Sequence, residues 1–346
     1  MVEDFSEDQT EDQELYEHYS FIVDKGQSAL RIDKFLSDRL ENASRTKIQQ
    51  AATANCILVN QQAVKSNYKV KGGDQISIVL PEPPRVLKIF PENIPINIVY
   101  EDADVIVVDK QAGLVVHPGY GNYTGTLVNA LAYHIKDSEL FHEDNLRPGL
   151  VHRIDKNTSG LMVVAKTEFA LTHLAKQFYD HSTDRQYLAM VWGTFDDPEG
   201  VISGYLSRDK IDRKKMHLYA NEEEGKWSLT HYKMIENLGY VSLVECRLET
   251  GRTHQIRAHF EHLKKPLFND ERYGGNEILR GTTFSKYKQF VENVFQILPR
   301  HALHAQTLGF THPITKERLF FESPIPNDIQ MAIEKWRKYI SSRSEN

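Results

Sequence analysis

The sequence predicts an α+β protein with a mixed, mainly antiparallel central sheet and flanking helices, preceded by a small α/β module. In residues 89–340 the candidate strands do not alternate strictly with helices, which argues against a doubly wound parallel sheet. Residues 20–80 show a separate pattern of two helices and short strands. Prolines in residues 81–88 indicate a linker, because proline lacks a backbone donor and fixes φ.

Composition sets the general class of protein. The chain has 346 residues, of which 40% are hydrophobic and 26% charged, so it can bury a core and has the length of about two domains. It contains neither a run of about 18 apolar residues nor a secretory signal pattern, so we expect a soluble cytosolic protein. Cys56 and Cys246 form no CxxC pair, and we expect both to be packing residues.

Charge is distributed unevenly along the chain. The net charge is −6, but residues 1–20 carry eight acids and no Lys or Arg, so the rest of the chain is at +2. We expect residues 1–19 to form an acidic disordered tail that leaves a mildly basic folded part. The net negative charge therefore does not argue against a polyanionic partner.

The N-terminal module begins with a helical spacing of apolar residues from Leu30 to Leu40. Ser44 can cap a second helix, which runs from Arg45 to about Ala54. A strand over 57–60 follows, and an alternating strand over 75–79 comes after a glycine turn. The basic residues between the apolar positions are compatible with a solvated face or with a nucleic-acid contact.

The larger region is predicted to mix strands and helices. Apolar runs and helical spacings predict these elements in order: a strand over 104–110, a helix over 127–135, a strand over 161–165, a helix over 168–179, and strands over 186–192 and 240–248. Residues 276–299 are predicted to form an insertion with an extra amphipathic helix.

A charged, turn-rich segment, 149–161, interrupts an apolar run and leads directly into a strand. The hydroxyls of Thr158 and Ser159 and the conformational freedom of Gly160 favour a tight turn. Such a turn would hold Asp155 in a fixed position. From the residues alone, a turn former or an ion-pair partner is the more common role for such a loop aspartate.

Two histidine pairs have the spacing of metal ligands. His259 with His262, and His301 with His304, have spacings that can place two ligands on one helical face, but no HExxH or CxxC motif accompanies them. The glycines of 118–126 lack the GxxxxGK[ST] pattern of a phosphate loop. We therefore predict neither a bound metal nor a nucleotide cofactor.

Four ordered blocks carry a resemblance to a known family. The segment HRIDKNTSGL from 152 to 161 resembles the signature of the RluA/RluD family of pseudouridine synthases. RQYLAMVWG from 185, ETGRTHQIRAHF from 249 and RHALHAQTLGFTHP from 300 resemble further blocks of that family in the same order. The resemblance covers about residues 90–325 and implies the pseudouridine synthase fold.

The resemblance implies a reaction and assigns residues to it. Such an enzyme breaks the N-glycosidic bond of a uridine, turns the uracil and rejoins it through carbon 5, without a cofactor. Asp155 matches the catalytic carboxylate, and Tyr187 matches the aromatic residue that contacts the uracil. Arg257 is the family-matching partner that would keep Asp155 ionised, and Arg252 is the alternative.

Other residues are assigned to RNA contacts. Arg153, with help from His152, is expected to fill the position vacated by a flipped base or to hold its phosphate. Residues 20–80 resemble the RNA-binding domain named after ribosomal small-subunit protein four, in which a basic helix pair lies against structured RNA. By that resemblance Arg31, Arg45 and Lys47 would contact RNA.

The resemblance implies a target but leaves alternatives. With the N-terminal module present, the chain is most similar to members that modify large-subunit ribosomal RNA, and we expect a monomer without membrane association. A transfer-RNA pseudouridine synthase and an RNA-binding ribosome-assembly factor without catalysis are the alternatives. A metal-dependent hydrolase is a third, which loss of activity with a chelator would indicate.

Overall fold

A computed structural model describes residues 16–40, 43–80, 88–119, 122–135, 140–141 and 148–344. The predicted linker 81–88, apart from residue 88, and residues 1–15 of the predicted acidic tail lie outside the described residues. Residues 16–19 of that tail belong to a strand that pairs with residues 75–80, so the prediction of disorder is wrong for them. The chain divides into two compact units, residues 1–86 and 87–346. Within the described ranges, no helix is both long enough and apolar enough to cross a membrane.

The smaller unit contains two helices and two small sheets. β1, β6, β3 and β4 form an antiparallel sheet in that order, and β2 pairs with β5. Its elements are β1 Tyr16–Ile22, β2 Leu30–Arg31, α1 Ile32–Ser37, α2 Arg45–Thr53, β3 Ile57–Val59, β4 Gln62–Ala63, β5 Lys69–Val70 and β6 Gln75–Leu80.

Both predicted helices of this unit are present, although α1 is shorter than predicted. Leu30 lies in β2, where it pairs with Val70, so the helical spacing of apolar residues begins before the helix does. Ser44 caps α2 as predicted, because its hydroxyl accepts from the backbone N–H of Lys47. Phe35 is fully buried in the core that the helices share with the sheet.

The larger unit is built on a ten-stranded sheet. Its strands are β7 Asn97–Glu101, β8 Val105–Lys110, β9 Ser159–Ala165, β10 Asp184–Trp192, β11 Glu199–Arg208, β12 Met216–Tyr219, β13 Lys226–Asn237, β14 Val241–Leu248, β15 Leu303–Thr311 and β16 Arg318–Glu322. Its helices are α3 Leu127–His134, α4 Glu168–Tyr179, α5 Gln255–His262, α6 Ser285–Ile297 and α7 Asn327–Ser344.

The strand order is β12-β11-β13-β14-β10-β15-β9-β8-β7, with β16 paired to β15. Among the described strands of this sheet, β9 and β15 are the parallel pair and all others are antiparallel. The predicted fold class, an α+β protein with a mixed and mainly antiparallel sheet, is confirmed. Strands β10, β15 and β9 at the centre carry the site described below.

The predicted extra helix in 276–299 is confirmed as α6. Tyr287, Val291 and Val294 of α6 are buried in a cluster with Trp192 of β10 and Trp336 of α7. The sequence interpretation did not include α7, which provides the other half of this apolar layer. It also missed β11 and β13, which extend the sheet on the side of β14.

Candidate active site

The segment before β9 is held by side chains from the far end of the chain. The Thr158 backbone N–H donates to the Asp155 carbonyl at 3.1 Å, which closes the predicted turn. The Thr158 hydroxyl lies 2.9 Å from Nε2 of His301, and the Ser159 hydroxyl lies 3.0 Å from Nδ1 of His304. The two histidines therefore bond to the turn that carries Asp155.

Two buried basic side chains also bond to this turn. Arg300 donates to the Asn157 carbonyl at 3.0 Å and pairs with Asp328 through two bonds of 2.7 and 3.0 Å. Lys110 donates to three carbonyls, including that of Lys156 at 3.1 Å, and its burial lowers its pKa to about 7. The two residues directly after Asp155 are thus fixed by their backbone carbonyls.

Gly160 is required where β9 meets β15. Its φ is +115°, and a Cβ there would lie 2.2 Å from the Ala305 carbonyl oxygen. Ala305 also pairs with Tyr187 of β10, so Gly160, Ala305 and Tyr187 are neighbours across three strands. Only glycine allows this close approach, which joins the Asp155 turn to the strand that carries Tyr187.

Asp155 is bonded to Arg257, the partner that the family resemblance favours. Nη1 of Arg257 donates to Oδ2 of Asp155 at 2.8 Å. Its Nε and Nη2 donate to the two carboxylate oxygens of Asp270 at 2.7 and 2.9 Å. Arg257 is 6% exposed and Asp270 1%, whereas the side chain of Asp155 is 17% exposed.

The arrangement keeps Asp155 ionised. Burial acts to raise the pKa of its carboxyl group, but the interactions with His254 and Arg257 outweigh burial, and the pKa lies below its usual value. Burial lowers the pKa of His254 to about 4, so this imidazole is neutral at pH 7. Arg257 is therefore the neighbouring cation that holds the charge on Asp155 at neutral pH.

His254 connects Asp155 to Tyr273. Its Nε2 lies 3.7 Å from Oδ2 of Asp155, and its Nδ1 lies 3.0 Å from the Tyr273 hydroxyl. A proton on Nε2 is favoured, because a lone pair facing the carboxylate would be repelled. Nδ1 then accepts from Tyr273. His254 has a left-handed backbone, φ 54°, immediately before α5.

The loop before α5 is attached to β13 through Gln255. The Gln255 amide donates to the Leu229 carbonyl at 3.0 Å, and its oxygen accepts from the hydroxyl of Thr250 at 2.8 Å. Arg252, the alternative partner for Asp155, instead donates through Nε to the Trp227 carbonyl at 3.1 Å. This fixed start of α5 directs Arg257 to the carboxylate.

Two cavities adjoin at the site. The inner cavity, of about 50 Å³, is lined by Asp155, Tyr187, His254, Arg257 and neighbouring residues. The outer cavity, of about 740 Å³, is lined by segments 150–153, 175–187 and 248–252, and includes His117. Arg153, Tyr187, Leu248 and Arg252 line both. The outer cavity has the size of a ligand site, which usually measures roughly 300–1,000 Å³.

The predicted RNA contacts of the larger unit lie at these cavities. Arg153 is exposed, and its Nη1 lies 3.3 Å from Nε2 of His117. His152 accepts from the Val163 backbone N–H at 3.0 Å and stacks on Phe178 at 4.4 Å. Burial lowers the pKa of His152 to about 3, so it is a neutral side chain. Burial also raises the pKa of Tyr187, which keeps its phenol protonated.

The basic residues of the smaller unit are arranged around Asp33. This carboxylate is 0% exposed and accepts from Arg31 at 2.9 Å, Arg45 at 3.1 Å and Gln49 at 2.9 Å. The side chains of Arg31 and Arg45 are 46% and 53% exposed. Lys47, the third predicted contact, is exposed on α2. The buried aspartate thus fixes two arginines at the surface.

Asp102, Asp104 and His312 form a cluster whose potential ligand atoms lie within 4.8 Å of one another. His312 Nδ1 accepts from the backbone of Ile314 and Thr315, while its Nε2 lies 2.9 Å from Asp102. These bonds account for the cluster as a loop brace. His259 of the sequence pair bonds to Ser228 instead, at 2.9 Å.

Sequence reasoning missed Asp270, His254 and Arg185 as members of this site. Asp270 lies outside the four recognised blocks, and a single aspartate between an asparagine and a glutamate gives no periodic signal. His254 and Arg185 lie inside quoted blocks, but the sequence does not show which side chains of a block face the same cavity.

Comparison with known proteins identifies the family of the chain. The chain matches the family model described as RNA pseudouridylate synthase over residues 104–262 and the S4 domain over residues 30–76. It is 44% identical over 322 residues to an uncharacterized RNA pseudouridine synthase of Chlorobaculum parvum, covering 92% of this chain and 98% of that protein.

Two further comparisons extend the likeness. The chain is 40% identical over 303 residues to the ribosomal large subunit pseudouridine synthase D of Zymomonas mobilis, covering 87% of this chain and 92% of that protein. A solved structure, human RNA pseudouridylate synthase domain containing 4, matches with a TM-score of 0.51 at 20% identity. That match covers 70% of this chain and 93% of the human chain and shows the shared fold.

Fold and site together define an RNA-modifying isomerase that carries an S4 domain in front of its catalytic domain. The chain belongs to the RNA pseudouridine synthase family, in the RluA/RluD group whose signature its 152–161 segment resembles. It isomerises uridine to pseudouridine in RNA, and the family expectation from the sequence is confirmed.

Proposed function

We propose that this enzyme isomerises uridines of large-subunit ribosomal RNA and that Asp155 is its catalytic carboxylate. The observation that carries the proposal is the 2.8 Å bond from Arg257 to Asp155 in a cavity that Tyr187 also lines. The target is supported by the relatives named ribosomal large subunit pseudouridine synthase D, which match most of the chain.

The reaction needs no external reactant. The bond from N1 of uracil to C1′ of ribose breaks, the uracil rotates, and C5 forms the new bond to C1′. C5 then loses its proton and N1 gains one, so the atoms and charges of substrate and product are equal. A carboxylate suits this sequence, because it can attack the sugar or stabilise a positive charge on it, and it can accept a proton.

Each residue of the site has a proposed role. Arg257 keeps Asp155 ionised and, because Asp270 holds its other two donors, fixes the direction of the carboxylate. Tyr187 contributes a ring for stacking on the uracil and a protonated phenol near carbon 5. The side chain of Asp155 is only 17% exposed, so the nucleotide must leave its stack to reach it, at a cost of about a few kcal/mol.

We assign compensation for that unstacking to Arg153. Its guanidinium is exposed at the rim that both cavities share, where a basic side chain can enter the vacated position or contact the flipped phosphate. Arg252 lies on the same rim and would contact the RNA backbone. His152, bonded to the backbone and stacked on Phe178, would act as a fixed neutral donor.

We also propose the predicted division into an acidic tail, an RNA-binding domain, a linker over 81–88 and a catalytic domain over 89–340, with the RNA-binding domain starting at residue 16, where β1 begins, and not at residue 20. The S4 match over 30–76 and the two compact units support it. In this proposal Arg31, Arg45 and Lys47 contact RNA, and the enzyme acts as a cytoplasmic monomer. Deleting residues 20–80 should weaken RNA binding more than it slows the chemical step.

The test maps pseudouridine in cells. Ribosomal and transfer RNA from a strain without this gene, complemented with wild type or Asp155→Asn, are scanned for carbodiimide-dependent stops of reverse transcription. We expect stops in large-subunit RNA to disappear on deletion and to return with wild type alone. Loss of stops in transfer RNA only would refute the proposed target, and restoration by Asp155→Asn would refute the role of Asp155.

A further inference from the structure

The outer cavity has an unusual charge pattern. Its lining contains three arginines, three histidines and no aspartate or glutamate among the described residues. Phe178 and Tyr179 of α4 add aromatic surface, and the Tyr179 side chain is largely exposed. Such a lining suits a polyanion that also carries flat rings, which describes single-stranded or unstacked RNA.

Arg185 of β10 is the residue that makes this cavity different from an ordinary basic surface. It is 6% exposed, and among the described residues its guanidinium has neither an ion pair nor a side-chain hydrogen bond. Its Nε is buried without a partner, and its contact is the ring of Phe178, whose centroid lies 5.3 Å away. Burial lowers the pKa of Arg185, as expected for an uncompensated cation.

Among the described residues of this unit, two other arginines are buried, and both are paired with carboxylates. Arg257 bonds to the carboxylates of Asp155 and Asp270, and Arg300 bonds to Asp328 and to backbone carbonyls. A buried charge is normally paired, because an unpaired one retains its full desolvation cost. Arg185 has the burial of its counterparts without a carboxylate partner among the described residues, so its guanidinium can bind an anion that enters this cavity.

The position of Arg185 relates that anion to the reacting nucleotide. Arg185 and Tyr187 are two positions apart on β10 and line the same cavity, so they are separated by about 7 Å along the strand. Tyr187 also lines the inner cavity with Asp155. A group bound by Arg185 would therefore lie next to a uridine that contacts Asp155.

We propose that Arg185 and the outer cavity form a phosphate subsite that binds the backbone of the nucleotide next to the reacting uridine. This inference rests on the proposed function and adds a specific contact to it. Gly251, across the cavity, leaves room for the guanidinium, because a Cβ there would lie 2.8 Å from Nη1 of Arg185. His152, whose Nε2 is already used as an acceptor, has its ring proton on Nδ1 and supplies a second donor to this cavity.

The test compares Arg185→Met with Arg247→Met. Arg247 lies on neighbouring β14, pairs with Gln186 and lines a different cavity, so its removal deletes the same charge from the other face of the sheet. The dissociation constant of an in vitro transcript of large-subunit ribosomal RNA is measured over a series of KCl concentrations. Thermal unfolding of each full-length variant is measured in parallel.

For Arg185→Met we expect an affinity loss of about tenfold at moderate salt and a slope of log affinity against log salt that is shallower by about 0.7 to 0.9. The melting temperature should stay the same or rise, because an unpaired buried charge is removed. Arg247→Met should leave the slope unchanged. An unchanged slope with a lower melting temperature for Arg185→Met, or equal slopes for both variants, would overturn the subsite.

A second variant tests the geometry. Gly251→Ala places a methyl group against Arg185, so it should weaken binding in the wild-type background and have no further effect in Arg185→Met. Equal effects in both backgrounds would contradict a shared site. The binding measurement does not depend on turnover, so the comparison of salt slopes decides the subsite even if the enzyme forms no pseudouridine in this transcript. Absence of pseudouridine would count against the proposed target only.

Discussion

Each unit of the chain contains a carboxylate bonded to arginine, but the two units differ in which member of the pair is buried. In the S4 domain, Asp33 is fully buried and its partners Arg31 and Arg45 are about half exposed. In the catalytic domain the arginine is the buried member, and the more exposed carboxylate, Asp155, faces the inner cavity. The more exposed member is therefore positive in the S4 domain and negative in the catalytic domain.

The inversion fits the roles proposed for the two surfaces. Exposed guanidinium groups can contact RNA phosphates, and a buried carboxylate holds them in place without repelling the polyanion. A carboxylate that performs chemistry must instead face its substrate, and a second buried carboxylate, Asp270, is needed to fix the arginine behind it. Substitutions of the two aspartates should therefore separate chemistry from binding.

The largest effect is expected for Asp155→Asn. The amide preserves shape but removes the negative charge, so the single-turnover rate at saturating RNA should fall by about a thousandfold or more. Arg257 keeps Asp270 as its partner, so the fold and the RNA affinity should be retained. Asp196→Asn, an exposed change in the same domain, is the control. A rate within tenfold of wild type would contradict the assignment.

Arg257→Lys should have the next largest effect. One ammonium cannot reproduce a fork that bonds to two carboxylates, so loss of about 1–3 kcal/mol of interaction should slow the chemical step roughly ten- to a hundredfold. The pKa of Asp155 should rise, because the neighbouring cation that lowers it is less well placed. The acid limb of the pH–rate profile should then move to higher pH.

Arg337→Lys is the matched control for that change. Arg337 also makes a bidentate pair with a carboxylate, Glu236, but the pair is exposed and distant in sequence from the site. Arg337→Lys should leave the pH–rate profile unchanged, because exposed ion pairs contribute little to stability. If Arg257→Lys slowed turnover without moving the acid limb, Arg257 would not be what keeps Asp155 ionised.

The sequence predicted those helices and strands that local patterns of apolar and capping residues specify. The helices α2, α3, α4 and α6 and the strands around the recognised blocks follow from apolar spacing and caps. The pairing of Arg257 with Asp155 was predicted from the family motif and not from spacing, since Arg252 was an equal candidate from the residues alone. Asp270 and Arg185 depend on a tertiary arrangement that a one-dimensional pattern does not contain.

Weak acid should separate the stability of the two units. Burial lowers the pKa of His152 and His259 to about 3 and of His254 and His301 to about 4, below the unfolded value of about 6.5. Below about pH 6.5 the unfolded chain binds more protons than the folded catalytic domain. The stability of this domain therefore decreases as the pH is lowered. Each histidine contributes up to about 1.4 kcal/mol per pH unit.

The smaller unit should lose stability only at lower pH. Its lowered pKa values belong to Asp33 and Asp74, whose contribution is fully present above about pH 4. All three tryptophans lie in the larger unit, so their fluorescence reports its unfolding, and hydrogen exchange of the S4 peptides reports the smaller unit. Equal loss of protection in both units at pH 5 would contradict this difference.

The smallest effect is expected for Asp33→Asn. The carboxamide cannot pair with two guanidinium groups, so Arg31 and Arg45 should lose their fixed direction, and the unit should lose about 1–3 kcal/mol of stability. RNA affinity should fall roughly three- to tenfold, while the single-turnover rate at saturating RNA stays unchanged.

Asp38→Asn decides whether orientation or charge is responsible. Asp38 is exposed at the end of α1, so this change adds the same unit of positive charge without disturbing the arginines. Charge alone would strengthen RNA binding by both variants equally, because each removes one negative charge. Weaker binding by Asp33→Asn together with unchanged or tighter binding by Asp38→Asn would mean that the buried carboxylate acts by positioning the arginines. Equal affinities would leave Asp33 with a role in stability alone, and the inverted pairs would then share no functional logic.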